Sequence, residues 1–151
     1  MSSSTEGEVV GVRLCVGHRE PMRSVLTAKM VEGYGLEGDR HAGGKGPRNA
    51  RQALLMDRET LEEFGLSDGE VRENLTVSGL DFSKLKEGQR LSVGEVELEV
   101  TGDCAPCARI DEIRPGLKAE IKGRRGSLVM VLRTGEVNVG DRVRVLQAVA
   151  N

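Results

Sequence analysis

Cys104 and Cys107 stand two residues apart in Thr101-Gly102-Asp103-Cys104-Ala105-Pro106-Cys107-Ala108-Arg109, directly after the alternating segment Val96-Glu97-Leu98-Glu99-Val100. A thiol at the rim of a rigid sheet can act as a nucleophile, carry sulfur or ligate a metal. An unperturbed cysteine, with a pKa of about 8.5, is only a few per cent thiolate at neutral pH, so a working one needs positive charge or amide donors beside it. Pro106 suits the first position of a short helix, which would set the Cys107 thiol among unpaired N–H groups. Three basic clusters could converge on it: Arg40-His41 with Arg48 and Arg51, then Arg72, then Arg124-Arg125 between Gly123 and Gly126. Arginine grips planar or phosphorylated anions through paired hydrogen bonds, and flanking glycines let backbone come close to a ligand. The set points to a pocket for an anionic small molecule with a thiol in its wall.

Plainer readings stand beside this one. Cys15 lies inside the first apolar stretch and reads as a small buried hydrophobe. For Cys104 and Cys107, burial and function stay open on the residues alone. Structural zinc is disfavoured, because one Cys-x-x-Cys pair has only His18 and His41 as further imidazoles. Basic loops are usually solvated surface, and neither a dinucleotide fingerprint nor a P-loop pattern occurs in a strand-to-helix setting.

The elements that must position these residues belong to one domain, since 151 residues suffice for a single core. Hydrophobic residues make up 38% and aromatics 2%, with Phe64, Phe82 and Tyr34 as the only rings. The core must therefore be aliphatic, and so few rings weaken any proposal in which bases stack on aromatic platforms. The net charge of −2 gives no footprint for nucleic acid. An odd count of three cysteines and the polar start Met1-Ser2-Ser3-Ser4-Thr5-Glu6 argue against secretion, so a cytoplasmic protein with reduced thiols is expected. No stretch approaches the roughly 20 apolar residues of a membrane span.

Residues 1–8 read as a disordered polar tail and 9–148 as the domain. Val10, Val12, Leu14 and Val16 alternate as a strand, and residues 24–33 supply a second. Residues 35–51 are glycine-rich and basic, a long loop of the kind that carries function. Gln52 to Met56 form a short strand, Asp57 caps a helix carrying Leu61 and Phe64, and Gly65 ends it. Leu75 and Val77 restart a strand. A hairpin turns at Gly94-Glu95. The segment Glu87 to Val93 is echoed by Val139 to Val145, which fits two similarly placed strands. Leu128 to Leu132 reads as a strand buried on both faces, and a helix over 110–121 breaks at Arg114-Pro115-Gly116. Many short strands with glycine turns predict a mainly β fold, a small closed or partly closed β-barrel with short helical insertions.

Four segments, in this order, resemble the MOSC domain, the family named after the C-terminal domain of molybdenum cofactor sulfurases. They are Gly35-Leu36-Glu37-Gly38-Asp39-Arg40-His41-Ala42-Gly43, Arg72-Glu73-Asn74-Leu75-Thr76-Val77, Cys104-Ala105-Pro106-Cys107 and Gly123-Arg124-Arg125-Gly126. The resemblance runs from about Val9 to Leu146, as in a standalone member. It implies a barrel-rich fold whose cleft binds the pyranopterin molybdenum cofactor or a related sulfurated species. It also implies that Cys107 carries a persulfide or, if that cofactor is bound, ligates the metal. Arg72 and Asn74 would then lie in the pterin or phosphate pocket, with Gly38, Asp39, Arg40 and His41 on one edge and Arg124 and Arg125 on the other.

The chain carries no pyridoxal phosphate domain of the kind that precedes this module in cofactor sulfurases, and no additional N-terminal barrel of the related reductases. Sulfur would have to come from a separate donor such as a cysteine desulfurase, or electrons from a separate electron-transfer partner. The expected function is a sulfur carrier or transfer protein; the alternatives are a molybdenum-cofactor-binding reductase subunit and a non-catalytic cofactor-binding module. Neither nucleic acid nor membrane is expected as a partner.

Overall fold

Eleven strands form among the described residues, and seven of them close on themselves. The computed structural model describes residues 5–17, 20–40, 42–43, 52–104 and 108–146. Its strands are β1 (Glu6–Leu14), β2 (Arg23–Val25), β3 (Thr27–Val31), β4 (Gly35–Leu36), β5 (Ala53–Asp57), β6 (Leu75–Ser78), β7 (Arg90–Val93), β8 (Val96–Asp103), β9 (Ser127–Arg133), β10 (Gly135–Asn138) and β11 (Arg142–Leu146). Three short helices join them: α1 (Arg58–Glu63), α2 (Ala108–Ile113) and α3 (Leu117–Glu120).

The larger sheet runs β11-β7-β8-β9-β5-β6-β1-β2, and β1 also pairs with β11, so the first seven strands of that order form a closed barrel with β2 attached outside. Closure leaves fewer exposed strand edges. The long β1 makes it possible by changing partners along its length: Glu6 to Glu8 face β11, Glu8 to Val12 face β6 and Val12 to Leu14 face β2. The polar tail accordingly ends sooner than the sequence suggests. Glu6 is already in register with Arg144, and its carboxylate accepts from Arg142 at 2.6 Å.

The echoed segments become neighbours, β7 against β11 with Val93 opposite Val143. All barrel pairings are antiparallel except β5 with β6. Parallel neighbours need a long return connection, and here it holds α1 and residues 64–74. Asp57 caps α1 by accepting from the Thr60 amide at 3.0 Å, as its position predicts. A second sheet, β10-β3-β4, packs beside the barrel.

Two apolar clusters result. The larger fills the barrel with Val9, Leu55, Leu75, Leu91, Leu98, Val129 and their neighbours. The smaller, of Met56, Leu61, Leu66, Val71, Ile110, Leu117 and Ile121, lies among the three helices. β9 departs from expectation. Val129 and Val131 are buried while Leu128, Met130 and Leu132 are only partly so, because its outer face is not fully covered. Among the described residues, no helix is long and apolar enough to cross a membrane.

Candidate functional site

A cavity of about 680 Å³ opens between the barrel and the helical cluster. Three stretches build it: the end of β1 with residues 21–24, the β5–β6 crossover over residues 67–72, and the β8-to-β9 connection. Cys104 follows directly on β8, and its amide donates to the Gly126 carbonyl at 3.0 Å. Gly126 has φ +105, and a Cβ there would meet the Leu55 carbonyl oxygen at 2.5 Å. Only glycine allows the chain to pass so close to β5. That passage sets Arg125 into the cavity wall beside Cys104.

Arg125 is 8% exposed, and its Nε and Nη1 have no hydrogen-bond partner among the described residues. Leaving a buried charge without its counter-charge costs roughly 3–5 kcal/mol. Three carboxylates share the lining, Asp68, Glu70 and Glu112; Asp68 pairs with Arg58 at 2.5 Å, and Glu70 accepts from the Ser67 amide at 2.8 Å. Leu54, Val71, Ile110, Ile113 and Leu128 supply apolar wall, while Arg13 and Arg109 add positive charge.

The crossover is held from beneath. Glu73 is fully buried; its Oε2 accepts from the Gly69 amide at 2.7 Å and the Thr76 hydroxyl at 2.6 Å. Arg13 in turn donates to Thr76 at 2.8 Å, and its Nη1 lies 4.0 Å from Glu73. Burial pushes the Glu73 carboxyl above its ordinary value, against those hydrogen bonds, and its Oε1 has no partner among the described residues. Gly69 has φ +85, and a Cβ there would meet Arg13 Nε at 2.6 Å. Arg72 adopts φ +65, the one positive value at a non-glycine among the described residues. That conformation costs about 1 kcal/mol, offset by the contacts its side chain gains.

Those contacts run away from the cavity centre. Arg72 lines the cavity, but its guanidinium donates to Glu20 O at 2.8 Å, to the Cys15 sulfur at 3.1 Å and to Gly17 O at 3.4 Å. Cys15 is 2% exposed, as expected of a packed thiol, yet its sulfur meets a charge rather than only hydrocarbon. Asn74 also lines the cavity with its amide engaged. Its Oδ1 accepts from Leu54 N at 3.0 Å, and its Nδ2 donates to Arg13 O and to Asp39 Oδ1, each at 3.0 Å. Asp39 accepts further from Cys15 N at 2.6 Å.

Of the residues expected at the site, the cavity therefore gathers Arg72, Asn74 and Arg125. Gly38, Asp39 and Arg40 are not in its lining. Asp39 serves the clamp around Asn74, and Arg40 is exposed with its amide donating to Cys15 O at 2.8 Å. Arg124 faces a second cavity of about 450 Å³ beside α1. There it bonds Glu63 at 2.5 and 3.0 Å and Thr60 at 3.2 Å, and it lies 5.5 Å from the Phe64 ring centroid. The bond from Arg124 holds the Glu63 carboxyl below its ordinary value.

His41 and Cys107, with Arg48 and Arg51, lie outside the described residues, as does the start expected for a helix at Pro106; α2 is described from Ala108. Sequence reading missed Arg13 and Arg109 as lining residues. Among the described residues, no three His, Cys, Asp or Glu side chains gather to hold a metal ion.

Comparison with known proteins bears on this geometry. A family model, the MOSC domain, matches residues 48–144. Among solved structures, the YuaD protein of Bacillus subtilis is similar at TM-score 0.78 and 23% identity, over 93% of this chain and 95% of that one. YiiM of Geobacillus stearothermophilus is similar at TM-score 0.72 and 17% identity, over 93% and 75% of the two chains. YiiM of Escherichia coli is similar at 0.70 and 20%, over 98% and 73%. At these identities the likenesses show the fold. A search of curated proteins finds no match.

Proposed function

The chain belongs to the MOSC domain family, and from that premise we propose that it is a sulfur carrier whose Cys107 accepts a sulfane sulfur and presents it to an anionic acceptor. One observation carries the reading: the buried Arg125, with two nitrogens unpartnered among the described residues, lines the cavity that Cys104 and Arg109 also line, and these two residues bracket Cys107 in sequence.

Loading balances without an outside oxidant. The Cys107 thiolate attacks the outer sulfur of a donor persulfide, such as that of a cysteine desulfurase. A new S–S bond forms, the donor's S–S bond breaks, and the donor leaves as a thiolate. Arg125 binds the acceptor's phosphate or other anionic group through charge-assisted hydrogen bonds, and the apolar wall receives its ring system while excluding water.

The donor set suits the molybdenum cofactor: a flat heterocycle and a phosphate match apolar walls and a buried guanidinium, in a volume within the usual range for small-molecule sites. When bound, that cofactor supplies the metal centre that takes up sulfur. Arg125 and Arg109 are the residues that would hold its phosphate. Arg72 acts differently, its guanidinium being held by the Glu20 and Gly17 carbonyls.

Incubation with a cysteine desulfurase and cysteine, followed by intact-mass and peptide mapping, tests the reading. The protein should gain one sulfur on Cys107, and Cys107→Ser should lose that gain while keeping its fold. A wild-type protein that never takes up sulfur, yet purifies with molybdenum and pterin in near-unit amounts, would replace the carrier reading with that of a reductase subunit.

A further inference from the structure

Glu73 sits behind the cavity wall, where the crossover leads into β6, and its side chain is fully buried. Oε2 accepts from the Gly69 amide and the Thr76 hydroxyl, whereas Oε1 has no partner among the described residues. The charged side chain facing it is Arg13 of β1, whose Nη1 lies 4.0 Å from Oε2. The other groups that meet it, Thr76 from β6 and the Gly69 amide from the crossover, are neutral. The remaining charges of the crossover are turned elsewhere: Asp68 to Arg58, Glu70 to the Ser67 amide and Arg72 to the Glu20 carbonyl.

Arg13 is held at that distance. Its Nη1 donates to Thr76 at 2.8 Å, and its guanidinium packs on bare backbone, since a Cβ at Gly11 would meet Nη1 at 2.8 Å and one at Gly69 would meet Nε at 2.6 Å. Arg13 also lines the cavity, with 14% of its side chain exposed. One fixed cation thus borders both a sealed carboxyl and an open cavity.

We propose that the cavity takes up its anion together with a proton from solvent, and that Glu73 holds the proton. This names a regulation of the anion-binding cavity described above and rests on that reading. With Glu73 neutral, the charge of Arg13 acts on the cavity undiminished. With Glu73 ionised, two opposite charges 4.0 Å apart act on it as a dipole, and an anion gains less. The ionised carboxylate is itself poorly served: no donor reaches Oε1 among the described residues, and burial pushes this carboxyl above its ordinary value. The proton goes to Oε1, because Oε2 already accepts from two donors. Anion and proton therefore favour each other by the same factor, whichever arrives first.

Calorimetric titration of the full-length protein with inorganic sulfate, from pH 4.5 upward, tests the coupling, because sulfate keeps its charge throughout that range. Affinity should fall about tenfold as pH rises through the Glu73 pKa, a size typical of coupled sites. Glu73→Gln, neutral at every pH, should keep the tighter, low-pH affinity. His18 and His41 titrate in the same range and act alike in both proteins, so the difference between the two curves belongs to Glu73. Reciprocity supplies a measurement on the wild type that stands even if Glu73→Gln fails to fold. In carbon-detected NMR, saturating sulfate should raise the Glu73 pKa by about one unit, a shift that a merely structural carboxyl would not show. Parallel curves for the two proteins, or a Glu73 pKa unmoved by sulfate that binds, overturn the coupling and leave the anion cavity standing. Absence of sulfate binding at every pH overturns the two together.

Discussion

Two polar clusters border the same barrel end and differ in one respect. Around Asn74, each side-chain polar atom has a partner, with Leu54, Arg13 and Asp39 taking the amide and Cys15 N reaching Asp39. Around Arg125, two nitrogens have none among the described residues. Both clusters belong to motifs that sequence marks as ligand-binding. The difference separates a saturated cluster, which builds the wall, from one with nitrogens left over, which the proposed function assigns to an anion. Arg124 completes the lesson: adjacent to Arg125 in sequence, it is satisfied by Glu63, Thr60 and the Phe64 ring.

Substitutions can break or sharpen this contrast. The largest effect is expected at Asn74→Ala, which strands Leu54 N, Arg13 O and part of Asp39 together. Chemical denaturation should show a loss of about 3 kcal/mol. Arg125→Met should do the reverse. Stability should hold or rise, since a buried guanidinium with two nitrogens unpartnered among the described residues is removed, while affinity for inorganic phosphate at low ionic strength, followed by NMR titration, falls about 10- to 100-fold. A destabilised Arg125→Met protein would place that residue with the wall-builders.

Glu73 tests the support beneath the crossover. Its raised pKa means that the folded chain keeps a proton the unfolded chain has lost above the ordinary value of 4.5. Stability therefore declines as pH rises from that value through the folded pKa. Glu73→Gln, which still accepts from Gly69 N and Thr76, should flatten the decline in melting temperature across that window. Asp57, also pushed upward by burial, leaves a residual slope of the same sign. The smallest effect belongs to Arg124→Met, because an exposed ion pair contributes little. Phosphate affinity and melting temperature should both stay within experimental scatter of the wild type.

The barrel was legible where local chemistry and global fold agree. Gly94-Glu95 turns the hairpin, Asp57 caps α1, Arg114-Pro115-Gly116 separates α2 from α3, and the echoed segments pair as β7 and β11. It was less legible where tertiary contact decides. The strand over Glu6 to Glu8 exists because β11 waits opposite it, and the small sheet of β3, β4 and β10 joins segments about a hundred residues apart. Side-chain direction was the least legible quantity. Nothing in Gly-Arg-Arg-Gly tells which arginine turns inward, since that follows from how closely Gly126 approaches Leu55. Likewise, an asparagine in a binding motif looks the same whether its amide meets a ligand or the backbone.

The lone parallel step in the barrel has a further implication. Strands running the same way cannot be joined by a tight turn, so the chain must travel back across the end of the barrel, and the returning stretch is what supplies residues 67–72 to the cavity. Length or composition altered in that stretch would reshape the cavity lip without disturbing a single rung of the ladder. In this architecture, ligand preference can drift independently of the scaffold that displays it.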